Sequence, residues 1–253
     1  MTGKRSAHER FPELIAAAVR VFARDGYRSA RMSGVAREAG LSEAALYRYV
    51  DGKEDLFVLA IRHALLLEPL PGEDDPDGAF PLAVPSLPEM IRQAREFVAA
   101  EVPFGSLAEA LRVTGPDHPE DPAGELRQII GELFVLEEQT APAADMIERS
   151  ARELPELADL LNTGLRRPVL DALTQYLDSR AKTGRLRRTP DTAATARLVL
   201  ETLTWFARHR HSDPHGAAIP SGLAQETAVD ALLHALVPAR YLDNEYPDNE
   251  ERP

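Results

Sequence analysis

The sequence predicts an all-α protein. Through most of the 253 residues, apolar side chains recur at the three- and four-residue spacing of amphipathic helices, and no segment alternates like a strand. Several glycines and prolines, among them Gly26, Gly40, Gly184 and Pro190, fall between helical segments, where they end one helix and allow the next to begin. No run of about 18 apolar residues marks a membrane span, so no membrane partner is expected.

The absence of cysteine excludes disulfides and thiolate sites and is compatible with a reducing compartment. The N-terminal segment carries charges without the apolar core of a secretory signal. We therefore expect a cytoplasmic protein.

Four helices with short connections are expected in the first 67 residues. Gly26 offers a left-handed stop for the first helix, and Gly40 closes the second. Ser42 is a credible N-cap for the third helix, and Lys53 opens a fourth that runs to about Leu67. The predicted divisions are a flexible arm at 1–9, a helix-turn-helix domain at 10–52 and a connecting helix at 53–67.

The remainder of the chain is predicted to be a linker, a helical domain and a tail. Prolines and acidic residues over 68–87 cannot pack as a helix and indicate a linker. A larger helical domain is expected over 88–240, and a disordered acidic tail over 241–253. Helical patterns occur at about 88–101, 104–114, 123–150, 154–183, 191–209 and 221–237.

Charge is distributed unevenly along the chain. The formal net charge is −12, but residues 1–65 carry 11 basic and 8 acidic side chains, whereas the rest carries 18 basic and 33 acidic ones. This asymmetry fits a small basic module on an acidic body that phosphates repel. Ordinary surface acidity with chance clustering remains the alternative on charge alone.

Residues 31–50 have the size and pattern of a helix-turn-helix, which places its second helix in the DNA major groove. Read more widely, residues 10–67 resemble the DNA-binding domain of the TetR family of bacterial transcriptional regulators. The matching positions are Phe22, Gly26-Tyr27, Val35-Ala36, Ala39-Gly40, Ser42, Leu46-Tyr47, Tyr49, Lys53 and Leu56.

The resemblance implies a sequence-specific transcriptional regulator, most often a repressor, which binds a double-stranded DNA operator as a homodimer. The C-terminal helical domain would then bind a small-molecule effector and dimerise, with no cofactor required. The implied DNA-contacting residues are Ser33, Ser42, Glu43, Ala44, Ala45, Tyr47, Arg48, Tyr49 and Lys53. Arg31 departs from the Thr or Ser that the family usually has at the start of its second helix, and we expect its cation to make the phosphate contact instead.

The chemistry of these side chains suits the implied roles. Glu43 can accept a hydrogen bond from a cytosine amino group, the methyl groups of Ala44 and Ala45 can touch thymine methyls, and Arg48 can reach guanine or a phosphate. Tyr47, Tyr49 and Lys53 match positions that contact phosphates, Lys53 from the first turn of a helix. For Glu43 a solvated or capping role stays open, as does a core role for Tyr47.

An effector pocket and a dimer interface follow from the same resemblance. Each pocket residue has an ordinary core role as its alternative. The pocket candidates are Phe97, Phe104, Leu107, Leu111, Arg112, Phe134 and Glu137. The segment from 198 to 206 is apolar almost all round, which a helix on a monomer surface would not be. The interface candidates are Leu198, Leu203, Trp205 and Phe206.

The sequence gives little indication of an enzyme or of a metal-binding site. No P-loop, His-Glu-x-x-His, Gly-x-Ser-x-Gly or dinucleotide-binding pattern occurs, so we expect no enzyme. His209, His211 and His215 have metal-capable side chains, but without cysteine or a second cluster we expect no metal site. An architectural DNA-binding protein that responds to no effector remains the alternative function.

Overall fold

A computed structural model describes residues 7–67, 80–113 and 121–242, with side chains from residue 10 onward. Within these ranges the chain is helical and contains no strand, which confirms the all-α prediction. Most of the predicted linker, part of the N-terminal arm and the C-terminal tail from residue 243 lie outside the described residues. None of the described helices is long and apolar enough to cross a membrane.

Eleven α-helices are present in the described ranges. They are α1 (Ala7–Ser29), α2 (Met32–Glu38), α3 (Glu43–Leu46), α4 (Lys53–Ala64), α5 (Leu87–Glu101), α6 (Gly105–Arg112), α7 (Pro122–Ser150), α8 (Pro155–Asp159), α9 (Arg167–Lys182), α10 (Thr192–Ala207) and α11 (Ser221–Leu236). A π-helical stretch, Leu160–Arg166, joins α8 to α9, so the single helix expected over 154–183 is interrupted. Short 3₁₀ turns lie at His209–Ser212, Gly216–Ala218 and Ala239–Tyr241.

The glycine stops predicted for the first two helices are present. Gly26 breaks α1 with φ 75° and ψ 170°, a backbone region that only glycine adopts without strain. After α2, Gly40 has φ 67°, its N–H donates to the Arg37 carbonyl at 3.1 Å, and the Leu41 N–H donates to the Ala36 carbonyl at 2.8 Å. These two hydrogen bonds form a Schellman motif, which satisfies carbonyls that the helix end leaves unpaired.

Two helix boundaries differ from the sequence expectation. Helix α1 begins at Ala7 rather than at residue 10, so Pro12 lies beyond its first turn. Helix α4 ends at Ala64 instead of continuing to Leu67, because Leu66 takes a left-handed φ of 58°. The Leu66 and Leu67 N–H groups donate to the carbonyls of His63 and Arg62, which again makes a Schellman ending, here without glycine.

By contacts between residues, the chain divides into two compact units. The first, unit 1, comprises residues 1–100 and 139–167. Its hydrophobic core gathers buried side chains from α1 to α5, from the C-terminal part of α7 and from α8 onward to Leu161. Phe11, Phe22 and Phe57 are among the largest fully buried side chains. The helix-turn-helix therefore shares a hydrophobic core with side chains of α7 and α8, which are distant from it in sequence.

The second, unit 2, comprises residues 101–138 and 168–253. Its core is built from α6, the N-terminal part of α7, α9, α10 and α11. Arg180 is buried within it, where its guanidinium donates to both Glu125 carboxylate oxygens at 2.8 and 2.7 Å and to the Ala110 carbonyl at 2.7 Å. This buried charge is therefore paired and hydrogen-bonded, as burial of an ion requires.

Candidate nucleic-acid interface

Helices α2 and α3 are joined by a short turn whose local chemistry fixes the start of α3. The Ser42 hydroxyl accepts a hydrogen bond from the Ala45 N–H at 3.2 Å, which confirms the predicted N-cap. Beyond Leu46, the N–H groups of Arg48 and Tyr49 donate to carbonyls three residues earlier, at 3.3 and 2.9 Å. After the first turn of α3, the backbone therefore changes from α-helical to 3₁₀-type hydrogen bonding.

The inner side of this motif is part of the unit 1 core. Met32, Val35 and Ala36 of α2 are buried, and Leu46 of α3 is completely buried. Helix α2 also packs on α1, and the two are tied at the surface by an ion pair between Arg20 and Glu38 at 3.0 Å. The short helices are consequently held by tertiary packing, since neither is long enough to be stable alone.

Most of the predicted DNA-contacting side chains lie at the surface of this motif. Tyr47 is 47% exposed, which is unusual for a large aromatic side chain and rules out a purely core role. Ala45 and Lys53 are half-buried. The remaining exposed members are Arg31, Ser33, Ser42, Glu43, Ala44 and Arg48.

Tyr49, in contrast, is buried. It is only 3% exposed, and its ring lies in a cluster with Phe11 and Phe80, at centroid distances of 6.1 and 5.0 Å. The ring of Tyr49 is therefore used for packing, and the expectation that Tyr49 contacts phosphate stays a prediction that only its hydroxyl group could meet. Its position three residues after the buried Leu46 is the sequence signal for this inward direction.

Lys53 begins α4 and is bound to the end of α1. Its ammonium donates to the Arg28 carbonyl at 3.0 Å and lies 4.9 Å from the centroid of the Tyr27 ring. Partial burial lowers the pKa of Lys53, and the negative charge of Glu153 offsets part of that effect. Helix α4 has no side-chain cap at Gly52, so its first backbone N–H groups remain suited to an anion.

The contacts between the end of α1 and the end of α7 have no counterpart in the sequence analysis. The Tyr27 N–H donates to the Ser150 hydroxyl at 3.0 Å, and the Arg28 N–H donates to the Glu153 carboxylate at 2.9 Å. Because these partners are more than 120 residues apart in the chain, no local pattern signals the pairing.

The predicted effector-pocket residues are not all gathered in one unit. Phe97 belongs to unit 1 and is 42% exposed, whereas the other six belong to unit 2. Leu107 and Phe134 are buried in the core of unit 2, and the Glu137 carboxylate accepts a hydrogen bond from the Thr204 hydroxyl at 3.0 Å. Phe104 and Leu111 are half-buried, and Arg112 is exposed. The pocket remains a prediction.

Unit 2 contains a cleft of about 380 Å³ between α6 and the start of α7. None of the predicted pocket residues lines it. Its lining consists of Ser106, Glu109, Ala110, Val113, Asp121, Glu125 and Gln128.

The predicted interface residues on α10 point to different sides of the helix. Leu198 and Trp205 are 59% and 38% exposed, and Phe206 is half-buried with its ring 4.9 Å from that of Trp205. Leu203 is completely buried within its own chain. Its assignment to the interface is therefore wrong, because the side chain has no surface left for a partner.

The three histidines near the end of α10, His209, His211 and His215, belong to no group of metal-ligating side chains among the described residues. Over the described ranges, no group of three or more His, Asp or Glu side chains is arranged to hold a metal ion. Arg210, between two of these histidines, is buried and donates to the carbonyls of Phe206 and Ala207 at 2.8 and 3.1 Å. It thereby satisfies carbonyl groups that the end of α10 leaves free.

One comparison with known proteins gives a match within the N-terminal region. Residues 14–60 match the model of a family described as bacterial regulatory proteins, tetR family. No curated protein matches the chain in sequence. The matched residues span α1 from Leu14 to most of α4, and so contain the whole α2–α3 motif.

Several solved structures are similar to the chain over nearly its whole length. The ketosteroid transcriptional regulator KstR2 of Mycobacterium tuberculosis is 15% identical, with a TM-score of 0.54 and with 92% of this chain and 97% of that chain covered. SmeT in complex with triclosan is 16% identical, with a TM-score of 0.52 and coverages of 97% and 98%. SmeT is the repressor of the Stenotrophomonas maltophilia multidrug efflux pump SmeDEF.

A third similar structure is a candidate transcriptional regulator from Saccharomonospora viridis in complex with choline. It is 15% identical, with a TM-score of 0.52 and with 92% of this chain and all of that chain covered. At such identities the likeness shows a shared fold. It extends beyond the α2–α3 motif to the helices of both units.

Proposed function

We propose that this chain, whose N-terminal domain belongs to the tetR family of bacterial regulatory proteins, represses transcription by binding an operator as a homodimer under the control of a small molecule. The observation that carries the proposal is the exposed side of α3. Glu43 and Ala44 are exposed on this short helix, Tyr47 and Arg48 are exposed directly after it, and the buried Leu46 anchors it to the core. A helix that is anchored on one side and exposes polar side chains on the other suits binding in the major groove.

Recognition of the base edges is assigned to the first residues of α3 and to Arg48. Glu43 suits a cytosine amino group, and Ala44 and Ala45 suit thymine methyls, whereas Arg48 can pair with guanine or a phosphate. These side chains offer few base-edge hydrogen bonds. Much of the affinity is therefore expected from phosphate contacts, which position the protein without reading sequence.

Phosphate contacts are assigned to residues around the α2–α3 motif. Tyr47 is exposed next to Arg48, and Lys53 begins α4, where the helix dipole favours an anion. Arg31 directly precedes α2, and Ser33 lies in its first turn. Both are exposed, so their donors are accessible to a DNA backbone.

Dimerisation is assigned to the exposed apolar face of α10 formed by Leu198 and Trp205. Large apolar side chains at the surface favour burial against a partner. Effector control is supported by the similarity in fold to proteins solved with triclosan and with choline. A ligand weakens operator binding only if it prefers the low-affinity conformation, and a coupling of about 3 kcal/mol would lower affinity on the order of 150-fold.

Selection of duplexes from a randomised pool by the purified full-length protein tests this function. We expect a palindromic site whose half-sites lie about one helical turn, or a multiple of it, apart. Lys53→Ala should weaken binding to all duplexes, whereas Glu43→Ala should change which duplexes are selected. Absence of any enriched sequence would contradict the proposal. Equal, salt-governed affinity for all duplexes would instead indicate the architectural alternative.

A further inference from the structure

We propose that Ser150, the last residue of α7, and Glu153, in the turn that follows it, are positioning residues that hold Lys53 in place for its phosphate contact. The inference rests on the proposed function, because it assigns a role within the same DNA-binding surface. Lys53 contacts neither Ser150 nor Glu153 through a hydrogen bond. The connection passes through Tyr27 and Arg28, which lie between them.

The contacts that link α7 to Lys53 begin at the break in α1. Gly26 leaves helical geometry, and a helix that is interrupted leaves the following N–H groups without helical acceptors. Side chains at and just after the end of α7 supply those acceptors. Ser150 accepts from Tyr27 at 3.0 Å, and Glu153 accepts from Arg28 at 2.9 Å. The end of α1 is thus fixed by α7, not by its own helix.

The ends of α1 and α7 approach each other closely. A Cβ atom at Gly26 would lie 3.2 Å from Cγ of Arg149 and 3.5 Å from its carbonyl oxygen. Ser150 is completely buried, so solvent has little access to its hydroxyl group. The hydrogen bond between Ser150 and Tyr27 is partly buried, so movement of α7 that broke it would leave polar groups that water does not readily reach, and such movement is therefore resisted.

Tyr27 and Arg28 both contact the side chain of Lys53. The Lys53 ammonium donates to the Arg28 carbonyl at 3.0 Å and lies over the Tyr27 ring at 4.9 Å. The two residues that α7 holds through their N–H groups are thus the same two that hold Lys53. A displacement at the end of α7 is consequently transmitted to the cation at the start of α4.

The salt dependence of DNA binding separates positioning from general stabilisation. The probe is a duplex that the wild-type protein selects from a randomised pool. Losing one phosphate contact reduces the slope of log affinity against log salt by about 0.9, whereas partial unfolding lowers the active fraction and leaves the slope unchanged. We expect Glu153→Ala and Lys53→Ala each to reduce the slope by about 0.9 per protomer.

Three further variants complete the test. Glu153→Gln keeps an acceptor for the Arg28 N–H and should retain the wild-type slope. Glu156→Ala removes an exposed carboxylate nearby on α8 and serves as the charge-matched control. The double variant, Glu153→Ala with Lys53→Ala, should lower the slope no further than Lys53→Ala alone, because both changes remove the same contact.

Two results would overturn the inference while leaving the proposed function standing. One is a wild-type slope for Glu153→Ala when Lys53→Ala reduces it. The other is full additivity of the two changes in the double variant, which would show that they act independently. Failure of the wild-type protein to select any duplex would instead contradict the proposed function itself.

Discussion

The ring of Tyr49 stacks on the ring of Phe11, with centroids 6.1 Å apart and planes inclined by 24°. Two residues earlier, Tyr47 is 47% exposed. The two tyrosines of the α3 region therefore have different roles. Tyr49 joins the turn after α3 to the core of unit 1, and Tyr47 remains accessible to a ligand.

Exchanging each tyrosine for alanine should separate these roles. Tyr49→Ala removes a buried aromatic ring, which typically costs about 3–5 kcal/mol of stability. Tyr47→Ala should leave the free energy of unfolding within about 0.5 kcal/mol of wild type but weaken DNA binding. Urea unfolding and fluorescence anisotropy with a labelled duplex measure the two effects. A large stability loss for Tyr47→Ala with unchanged DNA affinity would reverse the assignment.

The cap of α3 gives a second prediction. Ser42→Ala removes the acceptor for the Ala45 N–H and should lower stability by about 1 kcal/mol. Ser42→Asn keeps a side-chain acceptor and is the matched control, with stability close to wild type. Chemical denaturation of both variants provides the measurement. An equal loss in the two would show that the hydroxyl is not used as a cap.

The acid sensitivity of unit 2 gives a third prediction. Burial tends to raise the pKa of Glu132, but hydrogen bonds from Ser106 outweigh it, so that the pKa is lowered overall. The Ser106 N–H and hydroxyl donate to its carboxylate at 2.9 and 2.7 Å, at the start of α6, where a negative charge is favourable.

A carboxyl group with a lowered folded-state pKa contributes stability above its unfolded pKa, and that contribution is lost as the pH falls through the folded value. Glu132→Gln should therefore cost more stability near pH 7 than at about pH 3, because the contribution of the carboxylate declines as it becomes protonated. Glu109→Gln, an exposed acidic residue on α6, is the control. Urea midpoints at the two pH values give the comparison. A stability loss for Glu132→Gln that does not depend on pH would contradict this account.

The α10 surface gives a fourth prediction. Placing a charge at Leu198 or Trp205, as in Leu198→Glu or Trp205→Glu, should convert a dimer to a monomer, because both side chains are exposed in the single chain. Phe97→Glu introduces the same charge at an exposed aromatic residue of unit 1 and should leave the assembly unchanged. Sedimentation velocity distinguishes these outcomes. A wild-type protein that is monomeric at micromolar concentration would contradict the proposed dimer.

Features governed by neighbouring residues were predictable from the sequence. The Ser42 cap and the stop at Gly40 depend on three to five adjacent residues, and the structure confirms both. Gly26 interrupts α1 at the expected position, but with ψ 170° it does not take the left-handed helical conformation that was expected there. The all-α class followed equally from helical periodicity. The π-helical stretch at Leu160–Arg166 had no such signal, because its backbone hydrogen bonding is not marked by any residue type in the segment.

Features governed by helix orientation were harder to predict. The helix containing Leu203 is apolar almost all round, so its periodicity does not reveal which side faces the core of its own unit. Leu203 is buried there, whereas Leu198 is exposed. The hydrogen bond between Tyr27 and Ser150 joins residues 123 positions apart, and only the close approach of the end of α7 to the end of α1 brings them together.

The central claim is that the exposed side of α3 reads a DNA sequence. Fluorescence anisotropy measures it most directly, with the full-length protein titrated against its selected duplex and against a shuffled duplex of equal length and composition, at a fixed physiological salt concentration. The account predicts that the selected duplex binds at least about 1,000-fold more tightly. Equal affinity for the two duplexes would contradict it.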